Sequence, residues 1–275
     1  MNLNHKKILQ PFIGILLWGV THAQSEEKYT VLKYAEISKL NIQLPYIKYY
    51  GKDQLLLVFG SNHTTQWSNP QILLIKQLIA DFSPSIILYE GDGISTENTG
   101  KETVETYSEM GFAKYLADSL KIKSLNIEPN THDKFKYLLA NYEIEDILLA
   151  TLGLQITMFQ MDNKDFNSLY PNMVGDLVKE GLPLAKEQQS IQYFYSLYKV
   201  KFGKEFSYEN FDSRQIQPKY NTTLYNKINQ TANEFRDKHI IHLVKKTLQN
   251  GDKVFLLVGG WHAIVCEPAF NEIVR

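Results

Sequence analysis

The chain has 275 residues, with 29 basic and 30 acidic side chains, one cysteine and 44% hydrophobic residues. This near-neutral balance gives no reason to expect a nucleic acid or an anionic membrane surface as a partner. The one cysteine, Cys266, excludes an intrachain disulfide, so stability must come from packing. The length is enough for one large or two small domains with a full core.

Residues 1–23 have the three-part pattern of a secretory signal peptide. Two lysines form the positive region, an apolar run covers 8–20, and Ala23 closes a small-residue cleavage site. The alternative is a membrane anchor, but the apolar run is short for a span and contains a glutamine and a proline. We therefore expect cleavage and export to the periplasm or the extracellular space. Residues 24–275 are then expected to form a single soluble domain without an integral membrane span.

Predicted strands and helices alternate through the first half of the chain. Segments 29–37 and 46–50 have the pattern of edge strands or of an initial hairpin. The elements expected after them are, in order, a strand at 54–59, a helix at 70–82, a strand at 85–89, a helix at 101–120 and a strand at 124–127. Alternation at these spacings predicts βαβ units and a parallel sheet.

The middle of the chain has few strand signals. Segments 135–161 and 184–202 have helical periodicity. Between them, 162–183 is polar and rich in Asn, Gly and Pro, so we expect a long loop or cap there. Segment 207–223 is also irregular and is a candidate lid.

A long amphipathic helix is predicted at 231–249, directly before the last strand. Asn250 and Gly251 form its expected end. The predicted fold is therefore α/β, with a central, mostly parallel sheet flanked by helices. The helical middle, at about 131–230, is interpreted as an insertion within this one domain.

One short element occurs twice, near the two ends of the chain: an apolar run followed by Gly-x-x-His. The copies are 55–59 with Gly60-Ser61-Asn62-His63, and 254–258 with Gly259-Gly260-Trp261-His262. One Gly-x-x-His is expected by chance at roughly 0.4 per chain of this composition, so one copy means little and two favour a shared function. Each glycine would let its strand end in a tight turn. The histidines would then lie where open α/β sheets bind ligands; the alternative is two structural histidines.

Two glutamates follow the other predicted strands. Glu90 begins a Glu-Gly-Asp-Gly sequence that includes Asp92, and its glycines allow a close backbone approach; Glu128 precedes a proline. The structural alternatives are a helix cap or surface charge for Glu90, a turn residue for Asp92 and a strand terminator for Glu128. Imidazoles with carboxylates are ligands for a divalent ion such as Zn, Mn, Fe or Co. The same set works without metal when a histidine is the base and a carboxylate orients it.

The predicted helix before the last strand carries Arg236 at the edge of its apolar face. From this position a long side chain can run along the sheet and place its guanidinium at the strand ends. A guanidinium presents a planar fork to a carboxylate, a phosphate or a developing oxyanion. The alternative is a solvated helix charge or an ion pair along the helix.

These motifs together resemble the TraB/GumN/Tiki family, within the wider superfamily that contains erythromycin esterase-like and ChaN-like proteins. The resemblance covers about residues 50–275 and rests on four features: Gly60-Ser-Asn-His63, Glu90, Arg236 and Gly259-Gly-Trp-His262. The chain departs from the usual pattern twice. Ser61 replaces a threonine in the first motif, and Trp261 replaces a small or apolar residue in the second.

The resemblance implies a different chemistry for each branch. Similarity to the Tiki branch implies a metal-dependent hydrolase, with a divalent cation (Mn, Co, Zn or Fe) held by His63, Glu90 and His262. Similarity to the esterase-like branch implies metal-free hydrolysis with a histidine as base. Similarity to the ChaN-like branch implies binding of haem, iron or another small ligand.

The leading prediction is an exported metal-dependent hydrolase, most similar to peptidases, that acts on a small molecule or a peptide. In it Arg236 stabilises the developing oxyanion, and Glu128 is a further ligand or the general base. The predicted supporting positions are Gly60, Asn62, Asp92, Gly259 and Trp261. The alternatives are a ChaN-like binding protein, a metal-free esterase-like hydrolase and a degenerate member that serves only in interactions.

Overall fold

The computed structural model describes residues 28–37, 39–160 and 165–274, and the predicted leader lies outside the described residues. Within this part the strands are β1 (Tyr46–Tyr50), β2 (Leu56–Ser61), β3 (Ile86–Tyr89), β4 (Lys123–Asn126) and β5 (Val254–Gly259). They form one sheet in the order β1-β2-β5-β3-β4. Only the β1–β2 pair is antiparallel among them. The predicted mostly parallel α/β sheet is therefore confirmed.

Helices flank the sheet and fill the stretch between β4 and β5. They are α1 (Tyr34–Ile37), α2 (Pro70–Phe82), α3 (Gly100–Leu120), α4 (Thr131–Leu139), α5 (Ile144–Gln160), α6 (Phe166–Lys179), α7 (Ile191–Phe202), α8 (Leu224–Gln249), α9 (Gly260–Val265) and α10 (Glu267–Ile273). In the described part of the chain, none of them combines the length and the apolar character that crossing a bilayer requires.

Some of the predicted local structures are wrong, and the helix expected at 135–161 is divided between α4 and α5. The expected loop at 162–183 contains α6, whose buried residues recur at helical spacing: Phe166, Tyr170, Met173, Val174 and Leu177. Polar residues on the other face of that helix, and a proline inside it, hid this stripe in the sequence. The segment at 29–37, expected to be an edge strand, instead ends in the short helix α1.

The central strands are apolar because both faces of the sheet are covered. Every residue of β2 and β5 is buried. Alternate residues point to opposite layers: Phe59 and Phe255 pack toward α2 and α3, whereas Val58 and Leu256 pack toward α8 and α10. Burying each such side chain stabilises the fold by about 1.5–3 kcal/mol.

Helices α4 to α7 and the start of α8 pack a further hydrophobic core. Its large aromatic members include Phe135, Phe166, Phe194 and Tyr225. The rest of α8 packs against the sheet through Ile240, Ile241 and Val244. One long helix thus belongs to both cores, and it links the helical region to the edge of the sheet where the predicted site residues lie.

Candidate functional site

The two histidine motifs follow neighbouring strands. Strands β2 and β5 pair in parallel, with Gly60 opposite Val258 and Ser61 opposite Gly259. The two strands that precede the histidine motifs are therefore direct neighbours and point the same way. The two motif glycines, however, are offset by one residue, so the copies are not equivalent in three dimensions.

This offset gives the two motifs different backbone paths. Gly60 lies inside β2, where an added Cβ would come within 2.7 Å of the Ala263 side chain. Its role is thus to let α9 pack closely, and the expected turn at this glycine is wrong. Gly259 caps α9, and His262 lies in the first turns of that helix. His63 instead lies in the open segment after β2.

A cavity of about 440 Å³ opens at the carboxyl ends of these strands. His63, Glu90, Arg236 and His262 all line it. The predicted supporting positions Asn62, Gly259 and Trp261 line it as well. The remaining predicted positions serve other contacts. Asp92 accepts a hydrogen bond from Asn126 (2.8 Å), consistent with the turn interpretation, and Glu128 is an ion-pair partner of Arg236.

Arg236 is the centre of the charged groups around this cavity. Its Nη1 lies 3.0 Å from Glu90 Oε1 and 3.2 Å from His262 Nε2, and its Nη2 lies 3.0 Å from Glu128 Oε2. The second oxygen of Glu90 accepts the backbone N–H of Gly259 at 2.6 Å. The guanidinium therefore ties the ends of β3, β4 and α9 together, as a planar fork can and a point charge cannot.

The surroundings shift the pKa values of Glu90 and Glu128 in opposite directions. Burial raises the pKa of Glu90, but His262 and Arg236 outweigh it and the pKa lies below the ordinary value. Burial raises the pKa of Glu128 more than Arg236 lowers it, so that pKa lies above the ordinary value. Glu90 is thus the ionised partner of the guanidinium.

His63 is paired with a carboxylate that the sequence did not indicate. Its Nδ1 lies 2.8 Å from Oε1 of Glu109, a side chain with no solvent exposure. Glu109 also accepts the Ser61 hydroxyl at 2.7 Å and the Thr64 backbone N–H at 2.9 Å. The pKa of Glu109 lies below its ordinary value, because the bond to His63 and these donors outweigh the effect of burial.

This pairing fixes the tautomer of His63. An ionised carboxylate only accepts, so the proton of the neutral imidazole is on Nδ1 and the lone pair is on Nε2. Among the described residues no protein hydrogen bond occupies Nε2, and 60% of the side chain is exposed. The hydrogen bond to Glu109 raises the pKa of His63 above its ordinary value despite the opposing effect of burial.

Glu109 reaches His63 because α3 is kinked. Tyr107 (φ −123°, ψ 17°) and Ser108 (φ 60°, ψ −167°) interrupt its helical geometry. A non-glycine residue in the region of Ser108 costs of order 1–3 kcal/mol, and such strain persists where surrounding contacts hold it. The sequence predicts an unbroken helix at 101–120, in which Glu109 would be an ordinary polar residue. The kink has no sequence signal that we identify.

His262 has its own carboxylate partner on the other side of the cavity. Its Nδ1 lies 2.6 Å from Asp237 Oδ1 and 3.0 Å from the hydroxyl oxygen of Tyr34. The Tyr34 hydroxyl donates its proton to Asp237 Oδ2 at 2.9 Å. Burial lowers the pKa of His262, but Asp237 outweighs it and the pKa is raised overall. Both ring nitrogens contact protein groups, which leaves His262 no free nitrogen.

The predicted metal ligands do not converge on a common point in this arrangement. Both oxygens of Glu90 are engaged, by Arg236 and by the backbone of Gly259, and His262 Nε2 faces the same guanidinium. In the described segments, no three His, Cys, Asp or Glu side chains are grouped closely enough to hold an ion. The residues as placed do not fit a divalent cation, and metal binding stays a prediction.

Comparison of the chain with protein-family models, with curated proteins and with solved structures finds no match. The resemblance to the TraB/GumN/Tiki family therefore stays a prediction that rests on the motifs alone.

Proposed function

We propose that this protein is a metal-free hydrolase that cleaves an ester or amide bond, with His63 as the general base. The observation that carries the proposal is the pair of His63 and Glu109. A buried carboxylate orients an imidazole whose second nitrogen is free and faces a cavity. A base held in one tautomer, with its free nitrogen within reach of a bound substrate, is what general base catalysis requires.

Water is the nucleophile in this scheme. The Ser61 hydroxyl also lines the cavity, but it donates to Glu109 and not to His63, so His63 does not activate it. His63 Nε2 takes a proton from water as the water oxygen bonds to the substrate carbonyl carbon. The tetrahedral intermediate then expels the alcohol or amine, which receives the proton back from His63. Glu109 stays ionised throughout and stabilises the imidazolium.

Arg236 is the group suited to the developing negative charge. Its side chain is 33% exposed and lines the cavity, and a guanidinium carries five N–H donors. Glu90, Glu128 and His262 engage only part of this set. The glutamates fix the guanidinium in place, so that it needs little reorganisation when charge develops.

We further propose that the protein acts after export, in the periplasm or outside the cell, because residues 1–23 have a signal-peptide pattern. The cavity volume and the mixture of polar and apolar side chains around it suit a small molecule or the end of a peptide.

The test is hydrolysis of p-nitrophenyl esters and p-nitroanilides of varied acyl chains, with and without a chelator. We expect chelator-resistant activity that falls by about 10²–10⁴-fold in kcat/KM in His63→Ala, the range of general base catalysis. His242→Ala is the matched control, because His242 is an exposed histidine on α8 away from the cavity.

Two rival hypotheses predict different results, one in this assay and one in a haem titration. Activity that a chelator abolishes and that Mn or Co restores favours the predicted metal-dependent hydrolase. A Soret band that titrates with added haem favours the binding protein. Hydrolysis that survives His63→Ala at the wild-type rate refutes His63 as the base.

A further inference from the structure

Segment 213–223 contributes residues 217–219 to the wall of the cavity. It leads into α8, and three amide side chains of that helix donate to its backbone carbonyls. Asn226 donates to the carbonyls of 214 and 217, Asn229 to that of 216, and Gln230 to those of 218 and 220. The donor–acceptor distances are between 2.7 and 2.9 Å. The later part of the candidate lid at 207–223 is therefore held to the same helix that carries Arg236.

The three amide side chains that hold this segment, Asn226, Asn229 and Gln230, are called the amide clamp below. Lys219 is the charged residue of the segment that lines the cavity. Gln230 binds the carbonyls directly before and after it, at Pro218 and Tyr220. Lys219 lines the cavity, and its Nζ lies 5.4 Å from the centre of the Tyr220 ring. Burying amides such as Asn229 is favourable only when their hydrogen bonds are made, so the clamp fixes the backbone at Lys219 closely.

Lys219 is also the cation of the cavity that lacks an acidic partner. Of the charged side chains that line it, Glu90 and Arg236 pair with each other, and Arg236 pairs with Glu128 as well. No ion pair joins Lys219 to an acidic side chain within the described residues. The cavity lining also includes Trp261, with 40% of its surface exposed, and Leu44, with 36% exposed. The cavity thus offers an unmatched positive charge together with apolar surface.

We propose that Lys219 selects substrates that carry an oxyanion, a carboxylate or a phosphate, together with an apolar acyl or aryl group. The identity of these compounds as substrates rests on the proposed hydrolase function, whereas the binding preference does not. Lys219 contributes a point charge for the oxyanion. Trp261 and Leu44 contribute surface for the apolar part of the ligand.

The test is direct binding, measured by calorimetry at low ionic strength, of three probes: 3-phenylpropanoate, phenyl phosphate and the neutral 3-phenylpropanamide. We expect at least one anion to bind about tenfold more tightly than the amide, the value of a charge-assisted hydrogen bond. Lys219→Met should remove this preference and Lys219→Arg should keep it. Lys227→Met is the control, because Lys227 is an exposed lysine on α8 outside the cavity.

Every result decides for or against the proposal. A preference that Lys219→Met abolishes supports it, and the tighter of the two anions identifies the oxyanion as carboxylate or phosphate. Equal binding of all three probes, no binding of either anion, or a preference that survives Lys219→Met overturns it. His63→Ala should keep the binding preference while losing hydrolysis. A binding preference without His63-dependent turnover would therefore contradict only the proposed hydrolase function. Turnover without tighter binding of an anion would contradict only the proposed role of Lys219.

Discussion

Replacing Glu109 with glutamine tests the pair on which the proposed mechanism depends. The side chain keeps its size, but the carboxylate that orients His63 becomes an amide. The hydrogen bond to Glu109 is the main cause of the raised pKa of His63, so Glu109→Gln should lower that pKa. An amide can also present its NH₂ group to Nδ1, which favours the tautomer with the proton on Nε2. Both effects act on the base, and we expect kcat/KM to fall by about 10²–10⁴-fold.

The cost in stability follows from the hydrogen bonds around the buried carboxylate. It accepts from Ser61, His63 and Thr64, and an amide can accept on one atom only. Losing one bond to a charged acceptor costs about 1.5–3 kcal/mol. At roughly 2–4 °C per kcal/mol for a chain of this size, Tm should fall by about 3–12 °C. The variant should therefore stay folded at room temperature while its activity nearly disappears.

The stability difference between wild type and Glu109→Gln should depend on pH in a defined window. The pKa of Glu109 is lowered from an ordinary 4.5, so its contribution is present above that value and is lost as the pH falls through the folded-state pKa. The pKa of His63 is raised from 6.5, so its contribution is full below that value and is lost as the pH rises through the folded-state pKa. The difference should be largest at about pH 4.5–6.5 and shrink on either side.

Two measurements check this reasoning independently of any substrate. An NMR titration of the imidazole resonances gives the pKa of His63 in both proteins, and urea unfolding at several pH values gives the stability difference. A pH–rate profile then follows with the best ester found. An unchanged pKa for His63 in Glu109→Gln would refute the idea that Glu109 sets the pKa of the catalytic base.

Three further changes probe the cavity and the kink of α3 that supports it. Gly259→Ala should fold normally, since φ is −57°, but its Cβ would lie 3.1 Å from His63 Nε2, so kcat/KM should drop by about tenfold or more. Gly175→Ala, with open space around it, is the control and should leave the rate unchanged. Ser108→Gly should raise Tm by a few degrees at unchanged activity, because glycine adopts a φ of 60° without strain; a lower Tm would contradict the strain argument. Arg236→Lys should lose at least about tenfold in kcat/KM, because an ammonium cannot span two glutamates, and full activity would leave it a structural cation.

The sheet was predictable because buried parallel strands leave a strong signal. The strands β2 and β5 are continuous apolar runs covered on both faces, and such runs are hard to mistake. Residues that follow them, such as His63 and His262, fall at the same edge once the sheet is parallel. The cavity containing both histidines, Glu90 and Arg236 was therefore within reach of sequence reasoning.

The hydrogen-bond partners of these residues could not be predicted from the sequence. Glu109 becomes a partner of His63 only through a kink of the backbone, and Tyr34 donates to Asp237 across 203 positions of the chain. Asp237 adjoins Arg236 in the sequence, yet a charged pair on a helix is usually solvated, so adjacency alone gave no signal. Sequence patterns report periodicity and local turns, whereas these contacts depend on how separate elements pack.

The structure also separates the roles of two histidines that the sequence presents as copies. Strand β2 continues into an open segment, so the side chain of His63 is 60% exposed and keeps one free nitrogen. Strand β5 turns at Gly259 into α9, which places His262 at 10% side-chain exposure between Asp237 and Arg236. Both ring nitrogens of His262 contact protein groups, Nδ1 with Asp237 and Tyr34 and Nε2 with Arg236, so neither nitrogen is open to a water. In the proposed mechanism proton transfer therefore belongs to His63, and His262 holds the guanidinium on which the oxyanion depends.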